Sequence, residues 1–436
     1  MGCMARWRCP IGDPSSSIRR RSVRNYRIRW TKFCESIASS WSTTTQVTSR
    51  SVRMNGASLI SRRYRGRKTG HRPIAGSSRI VVKVGSSSLT RSTGGIDAEA
   101  VARIVRMIAG SWEKGYPTVL VSSGAVAAGL PALGLHERPH DLPGLQVAAA
   151  VGQGRLMERY ASEFAKVGLV AGQVLLTKDI LANRDQYLHA RRALDRMLSE
   201  GVVPIVNEND TIAVEELRLG DNDRLAAIVS HLVSANLLLL LTDTPGLFSS
   251  DPRLTEDAEL LAAVRHTDEV LDAVSQGASG PIGSGGVATK VSAARMAAWS
   301  GIPTIVAAAD DPSSILAALT GASTGTWVEP HPSALSARKL WIAFGLPAVG
   351  TLTVDAGAEA ALVADGGSLL AVGVSEVVGE FSIGDAVEVV NQAGSLVAKG
   401  QVQVGAAELR RASSDGALSG LIVIHRDQLV VLAQSE

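Results

Sequence analysis

Short apolar runs rich in β-branched residues alternate with amphipathic stretches between residues 79 and 306. Runs of this length are typical of buried strands, and apolar residues spaced three or four apart indicate helices. The alternation predicts an α/β fold with a parallel-rich open sheet sandwiched by helices. The predicted strands are 79–84, 118–121, 170–176, 202–206, 237–241 and 302–306, and the predicted helices are 97–114, 144–167, 184–200, 224–231, 267–276 and 287–300.

The pattern changes near Pro330, where the Val/Leu/Ile runs become short and Gly-Asp or Asp-Gly turns separate them. This spacing predicts a small, mostly-β domain. Residues 331–332 and 334–337 have the composition of a linker. We therefore expect a basic extension over 1–76, an α/β catalytic domain over 77–329 and the β domain over 338–432.

The first 76 residues hold 17 Lys and Arg against two acidic residues, a net charge of +15, so the rest carries −12 of the total of +3. This segment has no apolar periodicity, which predicts disorder, and no apolar h-region, which excludes a secretory signal. An organellar transit peptide, a basic arm for nucleic acid and an over-extended start site all fit its composition. We favour the over-extended start, with initiation near Met54 or later.

All three cysteines precede residue 77, so disulfides and cysteine-based zinc sites are excluded from the rest of the chain. The most hydrophobic unbroken run, 237–241, is far shorter than the ~18 apolar residues of a membrane-spanning helix. We therefore expect a cytoplasmic protein without a membrane segment, with organellar targeting by residues 1–76 as the alternative.

Two lysines lie beside loops that are suited to phosphate. Lys83 interrupts the first predicted strand and is followed by Gly85 and three serines, which present free backbone N–H groups. This loop lacks the Gly-Lys-Ser/Thr ending of a Walker A motif. Lys290 follows a glycine-rich loop and lies in the first turn of a predicted helix, where its charge opposes the helix dipole. The alternatives are an edge-strand lysine beside an ordinary turn and a solvated helix lysine.

Two amide-rich acidic clusters, NEND at 207–210 and GDND at 220–223, flank the insert 212–219. The first follows a predicted strand and the second opens a predicted helix, so both lie where open α/β proteins bind ligands. Capping of free N–H groups by these side chains is the alternative. A run of small residues, SSGAVAAG at 122–129, permits either close approach of a ligand or close helix–strand packing.

Together these residues suit phosphoryl transfer, because right-handed crossovers gather the strand ends at one edge of the sheet. Phosphoryl transfer relies on positioning and on neutralising charge, which two lysines and backbone N–H groups supply. The acidic residues are suited to hold Mg²⁺ or to orient the lysines. Carboxylate and amide groups also suit the ammonium of an amino acid. The sequence shows neither a His/Cys metal cluster nor a Ser-His-Asp arrangement, which argues against hydrolytic classes.

Six motifs follow one another along the body of the chain: VVKVGSS at 81–87, SSGAVAAG at 122–129, NEND at 207–210, GDND at 220–223, LTD at 241–243 and SGGVATK at 284–290. With these motifs the body of the chain resembles the glutamate 5-kinases, members of the amino-acid kinase family that carry a C-terminal PUA domain. The resemblance covers residues 79 to about 430, and Ser284 departs from it, since threonine is common there. It implies the amino-acid kinase fold with a PUA-like β domain.

The implied reaction is transfer of the ATP γ-phosphoryl group to the side-chain carboxylate of L-glutamate, the first step of proline biosynthesis. Lys83 and Lys290 would contact the phosphates, and Asp223 would orient both lysines as the third catalytic residue. Glutamate would be bound by Ser123, Asp210, Asn222 and Asp221. ATP would be bound by Lys83, Thr242, Asp243, Ser284, Gly285, Gly286, Val287, Ala288, Thr289 and Lys290. Mg²⁺ is the implied cofactor, with its protein ligands unassigned.

The implied partners are L-glutamate and ATP, with proline as a feedback inhibitor and a second copy of the chain in a homo-oligomer. The insert 212–219 is expected to cover the substrate and to sense proline. One alternative is an amino-acid kinase acting on aspartate, N-acetylglutamate or carbamate. Another is RNA binding through the PUA-like domain, which the charge of −12 outside the basic segment disfavours.

Overall fold

An eight-stranded sheet forms the centre of the N-terminal part of the described chain. The computed structural model describes residues 73–91, 95–212, 222–252, 255, 257–268, 270–271, 285–414 and 420–433. The strand order is β3-β4-β2-β1-β5-β7-β8-β6, and neighbours are parallel except for β7 and β8. The strands are β1 (Ile80–Val84), β2 (Thr118–Val121), β3 (Val170–Leu176), β4 (Val202–Glu208), β5 (Leu237–Thr242), β6 (Ala263–Arg265), β7 (Thr304–Ala308) and β8 (Thr326–Glu329).

Successive residues of a strand point to opposite faces of the sheet, and in these strands both sets are apolar. Helices therefore cover both faces of this sheet. On one face Val81 and Leu240 pack with apolar residues of α4, α5 and α6. On the other face Val82 and Leu239 pack with α1, α3 and α7. The predicted fold class, a parallel-rich sheet sandwiched by helices, is confirmed. The helices are α1 (Ala98–Glu113), α2 (Ala125–Gly129), α3 (Leu142–Lys166), α4 (Arg184–Ser199), α5 (Asp223–Leu232), α6 (Gly285–Trp299), α7 (Ser314–Thr320) and α8 (Ala337–Leu340).

Several predicted boundaries were wrong by one or two residues. β4 continues to Glu208, because its pairing with β3 extends that far. The predicted strand 302–306 is β7, which begins at Thr304, after a proline that cannot donate to a ladder. The short strands β6 and β8 were not predicted. Of the predicted helix 267–276, residues 270–271 are helical and 272–280 lie outside the described residues.

The C-terminal part holds a five-stranded sheet in the order β11-β9-β12-β13-β15 and a separate β10–β14 pair. The predicted mostly-β character is confirmed, but α9 and α10 were not predicted. Asp355 caps α9 by accepting from Ala358 N at 2.7 Å. The domain limits 77–329 and 338–432 stay predictions. The elements are β9 (Ala348–Val354), α9 (Ala356–Asp365), β10 (Leu369–Leu370), β11 (Val374–Gly379), β12 (Ala386–Val390), β13 (Leu396–Gln401), α10 (Ala406–Ser414), β14 (Ile422–Ile424) and β15 (Leu429–Val431).

The segment between the two sheets is packed, although its composition predicts a linker. The rings of His331 and Trp299 stack with centroids 4.1 Å apart. Helix α8 continues into a π-helical turn, Trp341–Gly345, and Leu340 is fully buried in the core shared with α5 and α6. The Lys399 ammonium of β13 donates to the Leu346 carbonyl at 2.5 Å. These contacts join the second sheet to the helical layer of the first.

Helices α2 and α3 contact each other backbone to backbone through glycines. A Cβ on Gly152 would lie 1.8 Å from the Ala125 carbonyl oxygen and 2.5 Å from the Gly129 nitrogen. The small residues at 122–129 therefore serve close packing of helix on helix. We expect Gly152→Ala to lower the free energy of unfolding by about 1–3 kcal/mol, because side-chain rotation cannot relieve a backbone clash.

The matched control is Gly154, two residues along the same helix, because a Cβ there meets nothing within 4 Å. Gly154→Ala is expected to stabilise the helix by up to about 1 kcal/mol through propensity alone. Urea titrations of both variants measure the difference. Equal free energies of unfolding for the two variants would contradict the packing observed between α2 and α3.

His266 is expected to make the protein less stable in acid. Its side chain is buried, and its ring lies 5.4 Å from each of the Trp299 and His331 rings. Burial, and secondarily the His331 charge, lower the pKa of His266 to about 4. In the unfolded chain the pKa of histidine is about 6.5, so the unfolded chain takes up a proton at His266 before the folded protein does. The contribution of neutral His266 to the free energy of unfolding is therefore complete above pH 6.5 and is lost as the pH falls toward 4.

At pH 5 the free energy of unfolding is expected to be about 2 kcal/mol lower than at neutral pH because of His266. Urea unfolding at pH 7 and pH 5 measures it, with His266→Gln as the comparison. The variant should lose less stability between the two pH values than the wild type. The same loss in both proteins would assign the acid sensitivity to other groups.

Among the described residues, no helix combines the length and the apolar composition that a membrane-spanning helix needs.

Candidate active site

Lys83 is buried at the centre of the larger sheet. It lies near the C-terminal end of β1, which has β2 on one side and β5 on the other, so the edge-strand interpretation is wrong. The side chain is only 2% exposed, and its Nζ lies 2.5 Å from Asp223 Oδ1. A buried ammonium requires a compensating charge, and Asp223 supplies it. Gly85 follows, where a Cβ would lie 3.8 Å from the Lys83 Nζ.

Asp223 is the first residue of α5 and is completely buried. Its second oxygen, Oδ2, lies 3.3 Å from Lys290 Nζ and accepts from Thr289 Oγ1 at 3.0 Å. One carboxylate therefore joins β1 to the first turns of α6. A carboxylate at the start of α5 is also stabilised by the dipole of that helix.

Lys290 lies in the second turn of α6 and is 11% exposed on its side chain. Its position near a helix N-terminus is unfavourable for a cation, and two acceptors offset this. The ammonium donates to Asp223 Oδ2 and, at 3.0 Å, to the Gly286 carbonyl. Two lysines share one carboxylate, so this group has a net charge of +1 and attracts an anion.

A chain of amide side chains extends from Asn222, the neighbour of Asp223. Asn222 Nδ2 donates to the Ser122 carbonyl at 2.6 Å and to Asn207 Oδ1 at 2.5 Å. Asn207 Nδ2 donates to Gln153 Oε1 of α3 at 2.6 Å. Asn222 occupies the N-cap position of α5 without a capping hydrogen bond. For this residue the capping interpretation is therefore wrong, and its amide instead links β2, β4 and α5.

Ser123 follows β2, beside the carbonyl that anchors Asn222. Its hydroxyl is buried and has no hydrogen-bond partner among the described residues. The next residue, Gly124, has a φ of 98°, a left-handed conformation that glycine adopts without strain. The neighbouring Ser122 hydroxyl lies 3.0 Å from the fully buried Tyr160 hydroxyl, and burial raises the pKa of Tyr160. The polar Ser123 hydroxyl is thus held on a fixed backbone at the strand end.

Of the other predicted site residues, some lie at the same edge of the sheet, some lie in the first turn of α6, and two lie outside the described residues. Thr242 ends β5 next to β1, and its hydroxyl donates to Asp243 Oδ1 at 3.0 Å, so both lie at the same sheet edge as Lys83. Neither a hydrogen bond nor an ion pair joins them to Lys290 among the described residues. Asp210 follows β4, half-buried at that edge. Gly285, Gly286, Val287 and Ala288 form the first turn of α6. Ser284 and Asp221 lie outside the described residues.

Asn207 and Gln153 were not assigned to the site from the sequence. Asn207 lies within the NEND motif, and its place at the end of a strand was a usable signal. Gln153 lies within a 25-residue helix, remote in sequence from every motif. Nothing in its local pattern distinguishes it from a surface glutamine, and only the fold brings it to Asn207.

Comparison with known proteins places this arrangement in a family. The amino acid kinase family model matches residues 78–308, and the PUA domain model matches residues 350–418. A glutamate 5-kinase from Marinomonas sp. (strain MWYL1) is 45% identical over 368 residues, covering 82% of this chain and 98% of the relative. The chain belongs to the glutamate 5-kinases of the amino acid kinase family.

Two other glutamate 5-kinases agree with this assignment. The glutamate 5-kinase of Chromohalobacter salexigens is 46% identical, covering 81% of this chain and 96% of its own length, and that of Myxococcus xanthus is 44% identical, covering 84% and 99%. A crystal structure of UMP kinase from Bacillus anthracis aligns with a TM-score of 0.41 and 13% identity, covering 59% of this chain and 98% of that one. The predicted resemblance to glutamate 5-kinases with a PUA domain is confirmed.

Proposed function

We propose that this glutamate 5-kinase transfers the γ-phosphoryl group of ATP to the side-chain carboxylate of L-glutamate, the first step of proline biosynthesis. Membership of the family supports a phosphotransferase that uses ATP. The observation that carries the proposal is the sharing of one buried carboxylate, Asp223, by Lys83 and Lys290. It fixes two cations beside each other at the ligand-binding edge of the sheet.

The charges of this site suit the reaction. Both the phosphoryl group and the acceptor carboxylate are anions, and their approach is unfavourable without cations between them. Lys83 and Lys290 supply these cations, held in position before substrates arrive. A glutamate side chain with a pKa of about 4.3 is already ionised at neutral pH, so the reaction requires no general base. Asp223 accordingly serves to position the lysines.

The remaining roles are proposals drawn from position at the sheet edge. Acceptor oxygens of Asn222 and Asp210 suit the ammonium of glutamate, and the Ser123 hydroxyl suits one of its carboxylates. Asp221 is proposed to support the same site. For ATP we propose Thr242 and Asp243 after β5, together with the start of α6. The full proposed ATP set is Lys83, Thr242, Asp243, Ser284, Gly285, Gly286, Val287, Ala288, Thr289 and Lys290.

We propose that Mg²⁺ enters with the nucleotide. The described residues contain no group of three or more His, Cys, Asp or Glu side chains that could hold an ion. Mg²⁺ in kinases is held by one or two carboxylates together with phosphate oxygens, so such a group is not required. Both Asp223 oxygens are already bound by lysines and Thr289. Asp243, exposed after β5, is the better-suited protein ligand, and the ion would neutralise phosphate charge there.

The substrate is tested by measuring ADP release with ATP, Mg²⁺ and a panel of acceptors. Glutamate should support turnover at a rate well above that of aspartate, N-acetylglutamate or carbamate. A higher kcat/KM for any of the other three would replace glutamate as the substrate and would identify the protein as a different amino-acid kinase.

We also propose that the protein forms a homo-oligomer through the outer edge of β3. This edge strand has seven residues without a charge, and Val170 and Leu175 are 64% and 40% exposed. An uncharged edge strand of this length is suited to pairing with another chain. Light scattering of the purified protein measures the mass. Feedback inhibition by proline, RNA binding by the PUA domain and a cytoplasmic location stay predictions from the sequence.

A further inference from the structure

We infer that Gln153 of α3 binds the α-carboxylate of the amino-acid substrate through its Nε2 group. This inference rests on the proposed function and adds a specificity-determining residue to it. It starts from the amide chain of the site, because the orientation of each amide in that chain follows from the backbone groups at its ends.

Two backbone groups fix the direction of the chain. The Ser122 carbonyl can only accept, so the Asn222 atom that faces it at 2.6 Å is Nδ2. The Glu208 backbone N–H can only donate, so the Asn207 atom that faces it at 3.0 Å is Oδ1. Asn207 Oδ1 then also accepts from Asn222 Nδ2, which uses both hydrogens of that group.

The same logic determines the orientation of Gln153. With Oδ1 of Asn207 engaged, its Nδ2 donates to Gln153 at 2.6 Å, so the Gln153 atom in contact is Oε1. The other atom of that amide is Nε2, a donor. Gln153 Nε2 is buried and has no acceptor among the described residues. A buried donor without an acceptor is costly, and a ligand that accepts from it would recover that cost.

The hydrogen bonds of Asn207 and Asn222 connect the Gln153 side chain to the Ser122 carbonyl, which precedes Ser123. The contact between Gly152 and the Ala125 carbonyl presses α3 against the start of α2, directly after the Ser122–Ser123–Gly124 segment. The Ser123 hydroxyl is likewise buried without a partner in the described structure. Two buried donors without a partner among the described residues therefore belong to segments that the hydrogen bonds of Asn222 and Asn207 connect. A carboxylate accepts two such donors well.

The order of the side chains along the site indicates which carboxylate of the substrate faces Gln153. The lysines and Asp223 lie at one end, where phosphoryl transfer is proposed. Asn222 precedes Asp223 in sequence, and the hydrogen-bond chain leads from it through Asn207 to Gln153. This direction is away from the lysines, because β2 separates the strand of Asn207, β4, from the strand of Lys83, β1. Since the side-chain carboxylate of glutamate must reach the lysines, the α-carboxylate is the acidic group that faces Gln153.

The test is steady-state kinetics of Gln153→Glu. This change keeps the oxygen that accepts from Asn207 and replaces the donor with a negatively charged oxygen. We expect the KM for glutamate to rise about 10-fold or more, because a tenfold change corresponds to a single lost charged hydrogen bond. The KM for ATP should stay within twofold. Gln153→Met, which has no donor and no added charge, should raise the glutamate KM less, with the same selectivity.

A competing ligand separates direct binding from general disruption. 4-Aminobutyrate is glutamate without the α-carboxylate, so its inhibition constant against glutamate should change less than twofold in Gln153→Glu. The matched control is Gln403→Glu, the same charge change at an exposed position of the second sheet region, which should leave all constants unchanged.

The kinetic results distinguish a failure of the inference on Gln153 from a failure of the proposed function. Loss of 4-aminobutyrate binding parallel to that of glutamate would overturn the inference, since Gln153 would then act through the shape of the whole site. An unchanged glutamate KM in both Gln153 variants, with an active wild type, would overturn the inference alone. A wild type without glutamate-dependent ADP release would overturn both the inference and the proposed function.

Discussion

Lys83→Met is expected to lower kcat for glutamate phosphorylation by about 10²–10³-fold, the usual effect of removing one fixed donor that stabilises the transition state. The KM for glutamate should change by no more than a few-fold, because the proposed glutamate contacts lie along the amide chain from Asn222. The variant should remain folded, since Asp223 keeps its contacts with Lys290 and Thr289. ADP release at saturating substrates measures the effect.

Lys166→Met is the matched control for this prediction. Lys166 also pairs with one carboxylate, Glu163 at 2.8 Å, but its side chain is 62% exposed and it is the last residue of α3, away from Gln153 in the middle of that helix. Its kcat should equal that of the wild type. A Lys83→Met enzyme with more than a third of wild-type kcat would remove Lys83 from the catalytic role.

Asp223→Asn is expected to reduce both activity and stability strongly. The substitution keeps the size of the side chain and leaves two buried or nearly buried lysines without their shared counter-charge. Breaking a buried pair by removing one partner costs about 3–5 kcal/mol of folding free energy. The two ammonium groups would also repel each other and move apart, so kcat should fall at least as far as in Lys83→Met.

A double variant separates charge from packing in this prediction. Asp223→Asn combined with Lys83→Met removes one of the stranded cations, so it should be more stable than the sum of the two single effects, with a coupling of about 0.5–3 kcal/mol. Urea unfolding of the four proteins measures it. Strictly additive free energies would show that Asp223 does not hold Lys83 in place.

The sequence predicted the scaffold of this site well, for identifiable reasons. Buried parallel strands are continuous apolar runs, so a lysine inside such a run, as at Lys83, is conspicuous. The opposition of Lys290 to its helix dipole was a second local conflict, and the structure relieves it with Asp223 and the Gly286 carbonyl. Both signals are local, so they were visible without the fold.

What the sequence did not reveal depends on contacts between distant segments. Gln153 meets Asn207 across 54 positions, and no local pattern marks that pair. The close packing of Gly152 on Ala125 also joins residues that are distant in sequence and that no local pattern connects. Capping and ligand binding use the same residue types, so Asn222 was ambiguous until its hydrogen bonds to Ser122 and Asn207 were known. The two short strands β6 and β8 lacked the length for a periodic signal.

This lysine–aspartate site is expected to phosphorylate the side-chain carboxylate of glutamate. An acyl phosphate reacts with hydroxylamine to give a hydroxamate, so incubation of the wild type with glutamate, ATP, Mg²⁺ and hydroxylamine tests the claim directly. We expect the γ-hydroxamate of glutamate to form in amounts equal to the ADP released, and to be almost completely lost in Lys83→Met. Glutamate-dependent ADP release without hydroxamate formation, or undiminished hydroxamate formation in Lys83→Met, would contradict this expectation.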